Sequence, residues 1–117
     1  MEIEIQNLDE IVVAPEKFKD AEKSPKFIFR HPSAADIIDY HIHNDISRTA
    51  SRCFLRFENK PLLKKDDKAI DYSNYAEFIG LGASPVINNI HAECCSKLLK
   101  IVLGIKERAE ETEKKSK

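Results

Sequence analysis

Three short runs in the first thirty residues alternate apolar and polar positions, or are β-branched throughout, and both patterns are typical of strands. They are Glu2–Gln6, Ile11–Val13 and Lys26–Arg30. We expect the first strand to bury only Ile3 and Ile5. The second and third runs are predicted to pair as a small antiparallel sheet.

The segment between Pro15 and Pro25 is charged and bounded by proline at both ends. This composition predicts a loop or a single helical turn, with Phe18 packed on the core. The partner of the first strand stays open at this point. It can pair within the chain or across a homodimer.

At His31-Pro32-Ser33 the apolar period changes from two to about 3.6, which marks the start of a helix. Pro32 disfavours helix before it, the Ser33 side chain can cap the first turn, and Asp36 completes a capping box. One long helix is predicted over residues 33–58, ended by the asparagine and proline that follow. Its apolar stripe comprises Ala35, Ile38, Ile42, Ile46, Ala50, Cys53 and Phe57, widened by Ile37 and Phe54.

The second half of the chain predicts a connection, a short helix and a second long helix. Residues 60–72 show no sustained period and are predicted to be an exposed connection. A cap at Ser73 and a stop at Gly80 indicate a short helix over residues 73–79. Ser84 and Pro85 repeat the start signal, so the second long helix should cover residues 84–106. Residues 109–117 are charged and are predicted to form a flexible tail.

Together these elements predict an α+β fold dominated by helix, with a small N-terminal β-hairpin or sheet packed on two long helices and one short helix. A length of 117 residues fits one domain, which we place at residues 1–108 with a strand-rich part at 1–30. The two long helices should pack on one another and leave part of each stripe uncovered for a partner. The candidates for this partner surface are Ile37, Ile42, Phe54, Ile87, Ile90 and Leu98.

The charge balance and the hydropathy of the chain limit where the protein can be located and which partners it can bind. Lysine and arginine number 19 against 20 aspartate and glutamate, so no overall field directs the chain to nucleic acid or to an acidic membrane. The first ten residues carry acid where a signal peptide carries base, and no apolar run approaches the roughly 20 residues that span a bilayer. We therefore expect a cytoplasmic protein without a membrane partner.

The histidines and cysteines form no convincing catalytic or metal motif. His41 and His43 lie about 200° apart around a helix axis, so they cannot hold one ion together. His91, Cys94 and Cys95 share a helix face and could form part of a metal site or an activated thiol, yet no CxxC or HExxH motif supplies further ligands. We favour reduced thiols and a hydrogen-bonded histidine, and we expect no enzyme activity, cofactor or metal.

A recurrence of arginine supplies the main alternative function. Arg48, Arg52 and Arg56 recur every four residues along one face of the first long predicted helix, where they could contact phosphates. Three charges are few, and the neighbouring residues offer no aromatic platform for bases. A small helical nucleic-acid-binding regulator is therefore the alternative hypothesis, and a helix face that is either solvated or paired with acids is the simpler interpretation.

From residue 26 onward the order of features resembles the tail assembly chaperones of long-tailed bacteriophages. The resemblance rests on an FxFRxPS-like opening at Phe27–Ser33, a helix with arginines, a hydrophilic connection, a short helix and a closing apolar helix that runs into an acid- and lysine-rich tail. This chain departs from the family in lacking the usual tryptophan or glycine turn, where it has Phe57-Glu58-Asn59.

The resemblance implies a non-catalytic protein that coats the tape measure protein, shields its apolar segments from aggregation and helps tail-tube subunits to polymerise around it. Under this hypothesis Arg48 and Arg52 join the apolar candidates as partner-binding residues. The expected partners are the tape measure protein and the tail-tube protein, with a homo-oligomer also open.

Overall fold

In the residues that it describes, the computed structural model combines a three-stranded antiparallel sheet, a two-stranded hairpin and four α-helices. It describes residues 1–4, 9–18, 20, 22–82 and 84–104, and the backbone of the last helix to Lys115. The strands are β1 (Ile11–Val13), β2 (Lys26–Phe29), β3 (Phe54–Glu58), β4 (Leu63–Lys65) and β5 (Lys68–Ile70), and the helices are α1 (Ala34–His43), α2 (Ile46–Cys53), α3 (Tyr75–Ile79) and α4 (Pro85–Lys115). With 47% helix and 19% strand, the predicted α+β class is confirmed.

The sheet has the order β1-β2-β3, and the predicted pairing of its first two strands is confirmed. Ile11 lies opposite Phe29, and Val13 lies opposite Phe27. The earlier predicted strand is not found at residues 1–4, where Ile3 is 83% exposed. Ile5, the other residue that this strand was expected to bury, lies outside the described residues.

The predicted helix over residues 33–58 is wrong, since this segment forms two short helices and a strand. The chain leaves α1 at Asn44, which has a left-handed backbone with φ of 51°, and Asp45 then caps α2 by accepting from the amide of Arg48. Asparagine adopts the left-handed conformation more readily than most residues, and aspartate is a preferred N-cap. The left-handed Asn44 and the N-cap at Asp45 interrupt the predicted helix, and the spacing of apolar residues does not reveal them.

β3 takes the last residues of that predicted helix because they pair with β2. Phe57 lies opposite Phe27 and Arg56 opposite Ile28, with a bulge before Phe29 meets Phe54. Pairing brings the rings of Phe57 and Phe54 onto the aromatic core, against Phe27 and Phe29. A long-range partner therefore overrides the helical period.

A hairpin, β4 and β5, lies within the segment 60–72 that was predicted to be an exposed connection. Lys65 pairs with Lys68, so Asp66 and Asp67 form a two-residue turn, with φ of 53° and 61°. Positive φ at both positions is the mark of a type I′ turn, for which Asn-Gly is favoured and Asp-Asp is unusual. Aspartate tolerates this backbone, which explains why the turn forms without glycine.

Replacing Asp67 by glycine should raise the free energy of unfolding by about 0.5–1 kcal/mol, because glycine adopts positive φ without steric cost. The matched control is Asp71→Gly, since Asp71 follows the same hairpin but is not among the residues with positive φ. There glycine should give no gain. Thermal unfolding of both variants checks this, and equal shifts would show that the turn backbone is not strained.

The C-terminal helices begin near their predicted starts. Asn74, rather than Ser73, caps α3, and Gly80 ends it as predicted. α4 begins at Pro85 but continues to Lys115, past the predicted end at residue 106 and into the segment 109–117 that was predicted as a flexible tail. Among the described residues, no helix is long and apolar enough to cross a membrane.

The core lies between one face of the sheet and helices α2, α3 and α4. Phe27 and Phe29 project from β2 and are fully buried, and their rings contact Tyr75 of α3. From α4 the core receives Ile87, Ile90, Cys94 and Leu98. Phe18, in the single 3-10 turn Glu16–Phe18, packs on the edge of this core as predicted.

Candidate functional site

Burial divides the predicted partner-binding residues into two groups. Ile87, Ile90 and Leu98 are 7%, 4% and 0% exposed, so they belong to the core and do not form a free helix stripe. α4 packs against α2, α3 and β1, so these elements cover most of its apolar stripe. Phe54 is half-buried, with its ring against Phe29, Phe57 and Tyr75.

On α1 the outcome is the opposite, since Ile42 is 71% exposed and Ile38 is 59% exposed. Ile37 is half-buried. Ile38 and Ile42 are four residues apart and therefore adjacent on one helix face. This α1 face is a small exposed apolar surface rather than part of a long stripe.

An open apolar groove of about 680 Å³ lies beside the first turns of α4. Its apolar lining consists of Phe18, Pro25, Pro61, Leu62, Leu63, Phe78, Val86, Ile87 and Ile90. Ile87 and Ile90 thus contribute their small exposed remainder to it, although Leu98 does not. Leu62 is 70% exposed. The groove is therefore a second accessible apolar surface, and a more enclosed one than the α1 face.

Sequence reasoning missed this groove, although one signal for it was present. Pro61, Leu62 and Leu63 form an apolar cluster inside a hydrophilic connection, and Phe18 stands alone among charges. Apolar residues in such places either return to the core or line a surface that is used for binding. Phe18 and Leu63 pack partly against the core, while Leu62 stays exposed.

Basic residues border the groove. Lys23 and Lys60 line it, and a smaller depression of about 280 Å³ that shares Leu63 and Ile87 adds Lys64 and Lys65. The Lys60 ammonium donates to the carbonyl of Tyr72 at 2.6 Å and lies 4.5 Å from the centre of its ring. Lys60 is therefore held at the rim by a polar contact and a cation-π contact.

Each of the three arginines of the alternative hypothesis is paired with an acid. Arg48 Nε lies 3.0 Å from Asp39, and Arg52 Nε lies 3.0 Å from Asp36. Arg56, which is on β3 and not on a helix, bonds Glu10 at 2.6 Å and Glu58 at 3.5 Å. The interpretation as acid-paired arginines is confirmed, and the single helical stripe is wrong.

Asp36 is the centre of a buried charged cluster at the start of α1. Its carboxylate is fully buried and accepts from Arg30, from Arg52 Nε at 3.0 Å, and from the Ser33 amide at 2.8 Å and hydroxyl at 2.9 Å. Burial raises the pKa of Asp36, but the hydrogen bonds from Arg30, Ser33 and Arg52 outweigh it and hold the pKa well below its usual range. The predicted capping box is confirmed, and the cluster connects Arg30, which directly follows β2, with α1 and α2.

His91 joins α2, α3 and α4 through a hydrogen-bonded cluster. Its Nε2 lies 2.7 Å from Ser47 Oγ, its Nδ1 lies 2.6 Å from the Tyr75 hydroxyl, and the Cys95 sulfur lies 3.5 Å from the ring. Burial lowers the pKa of His91, and the charge of Asp45 opposes this only in part. A neutral ring that accepts from one hydroxyl and donates to the other satisfies both contacts.

This cluster lacks the chemistry of an activated nucleophile. Burial raises the pKa of Cys94 to about 12, and it also raises the pKa of Cys95, so neither thiol is poised to ionise at neutral pH. Behind His91 lies the Tyr75 hydroxyl instead of a carboxylate, and a neutral phenol stabilises an imidazolium poorly. In the part of the chain that the structure describes, no group of three or more His, Cys, Asp or Glu could hold a metal ion.

Comparisons with protein families, with curated proteins and with solved structures give no match for this chain. Three features of the chain bear on its function: the groove, the charged clusters and the order of features from residue 26 onward. Of these, the groove is the site with accessible apolar surface and room for a ligand.

Proposed function

We propose that the chain is a non-catalytic tail assembly chaperone of a long-tailed bacteriophage. It binds apolar segments of the tape measure protein in the host cytoplasm and keeps them from aggregating while tail-tube subunits assemble. The observation that carries this proposal is the open groove beside α4, because a protein that shields apolar segments needs an accessible apolar surface. The resemblance from residue 26 onward supplies the identity of the partner.

The charged and polar clusters give less support to the two rival functions. Asp39, Asp36 and Glu10 already neutralise the charges of Arg48, Arg52 and Arg56, so a phosphate would compete with a carboxylate at each of them. A thiol enzyme would need a lowered pKa at Cys95, and burial raises it. Salt-dependent DNA binding that is lost when Arg48 and Arg52 are replaced would favour the regulator, and stoichiometric zinc or fast alkylation of Cys95 would favour the enzyme.

Co-expression with the tape measure protein of the same genome tests the proposal. We expect the wild-type chain to raise the soluble fraction of the tape measure protein severalfold and to co-purify with it. Leu62→Asp should abolish most of this effect, because it places a charge in the groove that an apolar segment must then desolvate. Leu62 is largely exposed, so the substitution should change the free energy of unfolding by only about 0.5 kcal/mol.

Ile42→Asp is the matched control, because Ile42 is an aliphatic residue of nearly equal exposure that does not line the groove. It should leave the soluble fraction unchanged. If the wild-type chain gives neither a complex nor added solubility, the proposed function is wrong. If Ile42→Asp fails and Leu62→Asp does not, the chaperone binds through the α1 face instead.

A further inference from the structure

The groove continues into the neighbouring smaller depression. Both are lined by Leu63, Ser84 and Ile87, so together they form one channel across the start of α4. Hereafter we call this combined channel the α4 groove. Ile70 and Leu81 extend its apolar lining beyond Leu63. A ligand can therefore contact apolar surface on both sides of Leu63.

Among the described lining residues of the α4 groove, the charged side chains are all lysines. Lys23, Lys60, Lys64 and Lys65 line it, and no aspartate or glutamate is among its described lining residues. In the described part of the chain, Lys23, Lys64 and Lys65 form no ion pair, whereas Lys60 lies 3.5 Å from Asp71 and every arginine treated above has a carboxylate partner. The chain is nearly neutral overall, so this is a local excess of uncompensated positive charge at an apolar surface.

The lining also limits the conformation of the ligand. The wall is lined by large apolar residues such as Phe18, Leu62 and Phe78, and an extended peptide lying against their side chains would bury backbone N–H and C=O groups without partners there. A helix satisfies its own backbone hydrogen bonds and presents an apolar stripe at positions i, i+3, i+4 and i+7. Acidic residues on both borders of such a stripe would meet the lysines of the rim.

From these observations we infer that the α4 groove binds an amphipathic helix whose apolar stripe is bordered by aspartate or glutamate. That this helix belongs to the tape measure protein rests on the proposed function, whereas the chemistry of the ligand rests on the groove. The partner is thus selected by charge as well as by hydrophobicity.

Two synthetic helical peptides with the same apolar stripe, one with glutamate borders and one with lysine borders, test the inference. Fluorescence anisotropy with the full chain should show the glutamate peptide binding at least tenfold more tightly at low salt, with the preference shrinking at high salt because exposed charges are screened. Leu62→Asp should weaken binding of the glutamate peptide. Lys64→Glu combined with Lys65→Glu should remove the preference, and Ile42→Asp should leave it intact.

Equal affinity for the two peptides, or binding that Leu62→Asp does not weaken, overturns the inference. It is also overturned if the chain alone forms a dimer that Leu62→Asp dissociates, because a second copy then occupies the groove. Binding of the glutamate peptide without rescue of the tape measure protein would leave the inference standing and refute the proposed function. Rescue of the tape measure protein without a preference between the two peptides would refute the inference and leave the proposed function standing.

Discussion

Replacing Asp36 by asparagine should lower the free energy of unfolding at neutral pH by about 3 kcal/mol, because it removes one partner from a buried, charged hydrogen-bond cluster. The fully buried carboxylate bonds both Arg30 and Arg52, and their guanidinium groups would be left facing a neutral amide. Both arginine side chains are about 40% exposed, so water compensates part of the loss. Urea denaturation of the wild type and the variant measures the difference.

Asp39→Asn is the matched control, since this carboxylate also accepts from arginine but is 12% exposed and lies outside the capping box. Its loss should cost less than about 1 kcal/mol, as is usual for ion pairs in contact with solvent. Equal costs at the two positions would show that burial at Asp36 does not strengthen the cluster.

The cluster around Asp36 should make the folded chain less stable in acid. Because the pKa of Asp36 is lower in the folded chain than in the unfolded chain, the unfolded state binds more protons as the solution is acidified. Its contribution is therefore complete above the ordinary carboxyl pKa of about 4 and is lost progressively below it. Asp36→Asn should flatten the acid side of the stability profile, and an unchanged profile would contradict the lowered pKa.

Phe27→Ala should lower the free energy of unfolding by about 4 kcal/mol, the loss typical of a fully buried phenylalanine. Its ring is 0% exposed and lies 5.5 Å from Phe57, 5.2 Å from Phe78 and 6.3 Å from Tyr75, so it joins β2 to both β3 and α3. A domain of this size has only about 5–15 kcal/mol to lose, so the variant should unfold at much lower denaturant.

Two further variants keep this prediction testable if Phe27→Ala does not fold. Phe27→Leu retains most of the volume and should cost roughly 1–2 kcal/mol. Val12→Ala, on the neighbouring strand, affects a side chain that is 40% exposed and should cost less than about 1 kcal/mol. Similar losses for Val12→Ala and Phe27→Leu would show that the aromatic cluster does not dominate the core.

The elements that were predicted well have strong local signals. Ser33 and Asp36 form the capping box that starts α1, and Pro85 starts α4. The alternation in β2 and the β-branched run in β1 also led to the correct pair of strands. In each case a few neighbouring residues suffice to predict the element, because helix caps and strand alternation each involve only a few consecutive residues.

The elements that were predicted wrongly depend on distant partners or on unusual turn residues. The stripe that ends at Phe57 has helical spacing, yet Asn44 ends α1 and β2 draws Phe54–Glu58 into the sheet. The hairpin at Asp66 and Asp67 was missed because that turn usually contains glycine. Periodicity measures which residues are apolar, and the competition between helix and strand is decided by what they pack against.

By itself, the sequence determined the α+β class, the starts of α1 and α4, the β1–β2 pair and the balance of charge. Only the tertiary structure decided which apolar and charged residues remain available. It buried Ile87, Ile90 and Leu98, exposed Ile42, and paired Arg48 and Arg52 with acids. Exposure depends on which distant segments cover a residue, so the α4 groove, formed where the segments around Phe18, Leu62 and Val86 meet, appears only when the chain is folded.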